Sequence, residues 1–350
     1  MIPYLMSWAL LALNAWGGAR RIAGTSLLYL GIFLTLLIGL REQVGGDWGT
    51  YIDAVTRLEK LPFVDVFESD EAGSALLNWI GANWGGGIYF VNFLCGLIFS
   101  IGLLLFCRAQ PRPWLAVTIS FPYLITVVAM GYSRQGVAIG FELLALLALQ
   151  RDRLLQFLVW IALAATFHRT VLVMLILPAS TLSGGLRFMQ FIRLLLLAGA
   201  AYGLYASLLE TDLDYYVQGY IEAQYQSQGA LIRVALCLLP ALLFLLNRRR
   251  FQLTPDIQRI WSLLSALAVA AAIALYTTAS STAVDRLALY LIPLQLFVGS
   301  RLPDTRLFGF SPVNWNKLLI VFSLAVMIVW LLFAGHSSAW LPYRNLLLPF

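Results

Sequence analysis

Charge is what this sequence has least of. Asp, Glu, Lys and Arg make up 11% of its 350 residues, against 61% hydrophobic residues and a mean hydropathy of +0.82. A soluble domain carries roughly 25% charge, so that class is excluded. Polar-apolar alternation is missing too, and the apolar runs are continuous, which argues against a membrane β-barrel. Cysteine is scarce: Cys95, Cys107 and Cys237 lie in apolar segments without paired spacing. They read as packing residues rather than disulfides or metal ligands. No His-Glu-x-x-His, Gly-x-Ser-x-Gly or glycine-rich phosphate loop occurs, and no His/Cys/carboxylate spacing suits a metal, so neither a metal nor a cofactor is expected. The first segment, Ile2 to Trp16, has no basic stretch before it and has Arg20 and Arg21 after it, so it does not read as a cleavable signal. Backbone groups cannot stay unpaired in lipid. The expected fold is therefore all-α, a polytopic integral membrane protein in a single transmembrane domain over residues 1–350.

Apolar segments fall near 2–17, 25–40, 87–107, 113–131, 135–150, 154–167, 170–180, 194–209, 230–246, 259–279, 287–300 and 317–335. About twelve transmembrane helices follow, several shorter than the ~20 residues of a full span. The loops between them sort by sign. One set holds Arg20, Arg21, Arg108, Arg112, Arg151, Arg153, Arg187, Arg193, Arg248, Arg249, Arg250, Arg259, Arg301, Arg306 and Lys317, fifteen of the 23 basic residues, beside only Asp152, Asp256 and Asp304. The other set holds thirteen of the 17 acids, with Glu142 left inside a segment. The positive-inside rule places the first set in the cytoplasm and both termini outside. A net charge of +6 and a pI near 9.3 follow largely from these basic loops and do not point to nucleic acid. Reading 154–180 as one helix would put Arg248 to Arg250 outside, so two short helices with a turn at His168 fit the charges better.

Two outer-face loops are long. Residues 41–86 contain an expected amphipathic helix, Tyr51 to Leu61, with Ile52, Val55 and Leu58 on one stripe. Residues 210–229 carry Tyr215, Tyr216, Tyr220 and Tyr225. These aromatics fit an interfacial belt or stacking against sugar rings.

Four clusters fall on the acidic, outward side. The first runs from Arg41 through Gly45, Gly46, Asp47 and Trp48 to Tyr51. Its glycines permit a tight turn, and Asp47 either caps the following helix or is aimed at the membrane surface. The second is Tyr132-Ser133-Arg134-Gln135, between two apolar segments with almost no loop; Arg134 either snorkels or meets an anion. The third is Phe167-His168-Arg169, where His168 is either a structural residue or, kept neutral by neighbouring arginines, a hydrogen-bonding or proton-accepting group. The fourth is Asp285-Arg286 with Tyr290 one turn on. Guanidinium forks suit phosphate oxygens, so several on one face suit a lipid pyrophosphate. Glu142 has no evident role.

At these residues the chain resembles the EpsG/Wzy-type polysaccharide polymerases. Arg41 with Gly46-Asp47 and Tyr51, Ser133-Arg134-Gln135, Ala164 to Val171, and Asp285-Arg286 with Tyr290 carry the resemblance, over about Leu30 to Phe297. It implies a membrane glycosyltransferase of the bacterial inner membrane, with its active site facing the periplasm or exterior. Such enzymes polymerise undecaprenyl-pyrophosphate-linked repeat units. The implied partners are a lipid-linked donor and acceptor glycan and the bilayer, with a chain-length regulator as an optional addition and no nucleic acid. Catalytic candidates are His168, Asp47, Arg134 and Arg286, with His168 slightly favoured over Asp47 as base. Substrate-binding candidates are Arg41, Arg169, Tyr132, Gln135, Tyr290, Tyr51 and Trp48. A glycan ligase using the same chemistry, and a lipid-oligosaccharide flippase, are the alternatives. Repeated halves and midplane charges, expected of a transporter, are not visible here.

Overall fold

The computed structural model describes residues 1–69, 71–181, 229–277 and 281–347, with scattered positions between 188 and 202. Among these residues there is no strand; one isolated bridge joins Arg41 and Asn345. The helices are α1 (Ile2–Trp16), α2 (Gly24–Gly39), α3 (Trp48–Leu58), α4 (Ala72–Trp84), α5 (Gly87–Arg108), α6 (Pro113–Ser120), α7 (Ser133–Leu149), α8 (Leu154–Ala165), α9 (Ala230–Asn247), α10 (Pro255–Thr277), α11 (Ser281–Ala288), α12 (Pro293–Thr305) and α13 (Pro312–Phe333). Among the described residues, four stretches are long and apolar enough to cross a membrane: Gly87–Arg108, Ala230–Phe251, Pro255–Thr277 and Pro312–Phe333. Shorter apolar helices include Ile2–Trp16, Gly24–Gly39, Pro113–Ala129, Leu154–Ala165 and Arg169–Ser180. The expected segment at 194–209 lies mostly outside the described residues. The loop at 210–229, with its four tyrosines, lies outside them up to Gly229.

Close backbone approach sets the centre of the bundle. A side chain on Gly102 of α5 would run into the backbone of Gly140 on α7, and one on Gly140 would stand 2.9 Å from the Phe99 Cα. Small residues of this kind let membrane helices touch along their backbones. Around the contact, Phe99, Leu103, Ile139 and Leu143 are fully buried.

Several elements depart from the expected segments for local reasons. The helix expected over Tyr51 to Leu61 begins at Trp48, and its buried residues are Tyr51 and Val55, while Ile52 is 40% exposed. The 41–86 loop contains a second helix, α4, with Ser74, Ala75, Asn78 and Gly81 buried. The segment after Pro113 widens at Phe121–Ala129 into a π-helix. That widening changes the carbonyl partners, and the Thr126 carbonyl accepts from Trp340 Nε1 at 2.7 Å. The chain turns at His168 between α8 and a 3₁₀ helix, Arg169–Thr181. The 287–300 segment is interrupted by a 3₁₀ turn, Leu289–Leu291, before Pro293, which has no amide hydrogen to extend the preceding ladder.

Three of the basic loops meet at one end of the bundle. Asp304 accepts from Arg20 Nη2 at 2.7 Å and from Arg112 Nη1 at 2.5 Å. Arg301 donates to Gln110 Oε1 at 2.5 Å and lies 3.6 Å over the Phe297 ring. Segments far apart in sequence thus deliver their cations to one acid, as their shared loop set implies.

Candidate active site

The opposite end is built from the chain breaks after α2, before α7, after α8 and within the α11–α12 segment. The first break starts at Arg41. Its side chain is 1% exposed, with Nε donating to the Val44 carbonyl at 3.1 Å and Nη1 to Ile38 at 2.6 Å. Nη2 donates to Asn92 Oδ1 at 2.9 Å and Ser133 Oγ at 2.7 Å. Arg41 is a brace joining α2, α5 and α7, and its fork is turned to protein oxygens rather than to an open surface. Buried charge needs such partners. Trp48 stands 5.9 Å from this guanidinium and 6.0 Å from the Tyr89 ring.

Gly45 makes the turn toward Asp47. Its φ of +109° is unfavourable for other residues, and a Cβ there would lie 2.5 Å from the Met130 carbonyl oxygen. Gly46 does not share the positive φ. Asp47 occupies the N-cap position of α3, yet its side chain makes no capping bond. The carboxylate is half-buried and feels Arg134 and Arg286. Burial raises its pKa above 3.8, and those two arginines oppose the rise.

Arg134 opens α7 and is exposed, while its neighbour Gln135 is 4% exposed. Arg134 Nη1 donates to Glu71 Oε2 at 2.5 Å and also bonds Tyr51. Gln135 Nε2 donates to the Arg286 carbonyl at 2.9 Å, which ties α7 to α11. Arg286 itself is exposed on α11. Tyr290 goes the other way: it is fully buried, and its hydroxyl meets Thr170 Oγ1 at 3.1 Å. One turn apart, Arg286 and Tyr290 could have turned guanidinium and phenol together toward the bundle; only the phenol goes there.

His168 sits half-buried at the turn, with Nδ1 2.8 Å from Thr170 Oγ1. Burial, then the charges of Arg134, Arg286 and Arg169, pull its pKa from 6.5 down to about 4. The imidazole is neutral at pH 7. The structure therefore gathers Asp47, Arg134, His168, Arg169 and Arg286 from four breaks into one electrostatic neighbourhood.

Three partners escaped the sequence reading. Glu71, at the start of α4, holds Arg134 and also bonds the Arg169 backbone; burial raises its pKa against both arginines. Arg233 on α9 grips Asp285 with two bonds, Nε to Oδ1 at 2.5 Å and Nη2 to Oδ2 at 2.6 Å. Asp285 is thus buried in a fork with Arg233, not a surface partner of Arg286. Thr170 links His168 to Tyr290. No local pattern marks such pairings, although the acidic side of the loop ledger contained both Glu71 and Arg233.

Beside the cluster, a largely apolar cavity of about 460 Å³ runs between α9 and α13. Tyr132 and Arg233 line it with Tyr123, Trp330, Phe333 and Trp340. Tyr132 also feels Asp47 and Arg286, so it stands where the cavity meets the charged cluster. The Tyr123 hydroxyl is buried without a hydrogen-bond partner among the described residues. No group of three or more His, Cys, Asp or Glu clusters as a metal site among those residues.

The family model for EpsG matches residues 25–345. The chain belongs to the EpsG family. That membership marks a membrane protein of polysaccharide-polymerase type. The EpsG match contains all four breaks of the charged cluster and nearly all of α1 to α13 except α1 itself. Comparison with curated proteins and with solved structures returned no match.

Proposed function

We propose that the chain is a multi-pass glycosyltransferase of the bacterial cytoplasmic membrane, of about twelve spans. It lengthens a glycan by joining undecaprenyl-pyrophosphate-linked repeat units on the outer face. The observation that carries this reading is the pair of exposed guanidiniums, Arg134 and Arg286, placed from different segments around half-buried Asp47 and neutral His168.

The growing chain on its lipid pyrophosphate is the donor, and a sugar hydroxyl of the incoming repeat is the acceptor. The acceptor oxygen bonds the anomeric carbon, and the carbon–oxygen bond to pyrophosphate breaks with its electron pair on the phosphate. Arg134 and Arg286 stabilise the charge that grows there. Arg169 lies near enough to assist. The acceptor proton passes to Asp47 or His168, each of which has an accepting atom beside the arginines. Glu71 already seats a carboxylate on Arg134, the kind of anion the substrate phosphate would replace. Arg41 and Tyr51 position the cluster from within the protein. The apolar tail of a lipid substrate is assigned to the cavity beside Tyr132, whose walls suit hydrocarbon while its head adjoins the arginines.

Purified protein given lipid-linked repeat units in detergent should lengthen glycan, and should continue in excess EDTA because arginines supply the positive charge. Absence of lengthening would sink the reading. Loss in EDTA restored by magnesium or manganese would replace the arginine mechanism with a metal-bridged one.

A further inference from the structure

A buried hydrogen-bond chain decides what His168 can offer. His168 Nδ1 lies 2.8 Å from Thr170 Oγ1, and Thr170 Oγ1 lies 3.1 Å from the Tyr290 hydroxyl. A threonine hydroxyl has one hydrogen, so it donates to one of these neighbours and accepts from the other. Two arrangements satisfy the chain. Either the phenol donates to Thr170 and Thr170 donates to Nδ1, or Nδ1–H donates to Thr170 and Thr170 donates to the phenol.

The chemistry favours the first. A phenol is a stronger proton donor than an aliphatic hydroxyl, and an unprotonated imidazole nitrogen is a stronger acceptor than a phenol oxygen. Running the chain from phenol to imidazole pairs the best donor with the best acceptor, and aligned bonds reinforce one another. Gln135 stands beside this chain with its Nε2 donating to the Arg286 carbonyl at 2.9 Å, which holds α7 against α11.

We infer that Tyr290 and Thr170 hold His168 in the tautomer with its proton on Nε2, so that His168 donates a hydrogen bond to a phosphate oxygen and Asp47 takes the acceptor proton. The first half stands on the hydrogen-bond chain alone; the second rests on the glycosyl-transfer reading above. Thr170 and Tyr290 are positioning residues, since neither touches substrate. The groups facing His168 are Arg134 from α7, Arg286 from α11, Arg169 beside it and Tyr290, with Glu71 behind Arg134 and Arg169. Those facing Asp47 are Arg134, Arg286, Tyr51 and Tyr132. Three cations around His168 suit an anion receiving N–H bonds. Burial, with these cations, makes the imidazole a weak base, and burial raises the Asp47 carboxylate above its ordinary value.

The sequence has two histidines, so a His336→Asn variant leaves one imidazole for nitrogen-15 NMR in the full chain. At pH 7 the expected spectrum has an unprotonated Nδ1 and a protonated Nε2. A protonated Nδ1, or an imidazolium, overturns the inference. Tyr290→Phe should turn the single tautomer into a mixture and lower kcat several-fold with KM little changed; an unaltered spectrum would remove Tyr290 from the role. His168→Gln, which carries an amide donor near the Nε2 position, should retain activity within about tenfold of wild type. A His168→Gln enzyme with no turnover, still binding donor, would return the base to His168. A wild-type protein that shows the Nε2 tautomer but lengthens no glycan overturns the glycosyl-transfer reading and leaves the tautomer assignment standing.

Discussion

Arginines gather at both ends of this bundle, and the gatherings differ in what they leave accessible. At one end Asp304 is shared by Arg20 and Arg112, and Arg301 is covered by Gln110 and Phe297. The Arg112 side chain is 5% exposed. At the other end the Arg134 side chain is 48% exposed although it is paired with Glu71, Arg286 is also exposed, and Asp47 declines a capping bond it is placed to make. The same residue type serves as a fastening in one place and, in the proposed mechanism, as an exposed anion seat in the other. Arg41 shows that the distinction holds within one end: it is a few residues from Asp47, yet its guanidinium is spent on four protein oxygens.

The comparison can be broken most forcefully at Asp47. Asp47→Asn should lower kcat by roughly 10²–10⁴-fold, the usual contribution of a general base, with donor binding kept. The acid limb of the wild-type pH profile should follow the same group. Asp47 must be ionised to act and its pKa is raised above 3.8, so the rate falls as pH drops through that raised value. His168, at about 4, stays neutral above it. A profile unchanged in Asp47→Asn would remove the base from Asp47.

The next effect belongs to the exposed guanidiniums. Arg134→Lys and Arg286→Lys should each reduce polymer formation by roughly 10²-fold, because an ammonium keeps the charge and loses the two-pronged fork. Abundance in the membrane should stay near wild type. Normal polymer from both variants would reduce these arginines to generic charge. Glu71→Gln sharpens the point in the opposite direction. Removing the resident anion should tighten inhibition by inorganic pyrophosphate, and weaker inhibition would show that Glu71 serves chiefly to aim Arg134.

The smallest effect lies at the basic end. Asp304→Asn should cost about 1 kcal/mol of stability, less than a buried charged bond because the carboxylate is partly exposed. Catalytic constants should be unchanged, which activity and thermal-unfolding measurements on the same preparation would check.

Much of this division was legible in the sequence, because it depends on local order. Long apolar runs, loop charge of one sign and the short segments either side of His168 come from composition along the chain. Asp47, Arg134, His168 and Arg286 each mark the end of an apolar segment, so their approach to one another follows from the alternation of spans. What stayed hidden depends on packing between distant segments. Nothing near Arg41 shows that Asn92 and Ser133 will close over it, and nothing near Asp285 names Arg233. Helix α4 lies in what reads as a loop because its apolar stripe is short and broken by Gly73 and Gly81. The Thr170 link depends on Tyr290 turning inward at a 3₁₀ interruption, which no helical period foretells.

The central claim is that Arg134 and Arg286 are an anion seat while the arginines at the opposite end are not. Titration of undecaprenyl pyrophosphate into wild type, Arg134→Ala, Arg286→Ala and Arg20→Ala tests it directly. Each of the first two substitutions should weaken binding by at least about tenfold, as expected for loss of a charge-assisted fork, and Arg20→Ala should bind like wild type. Equal affinity in all four proteins would contradict it.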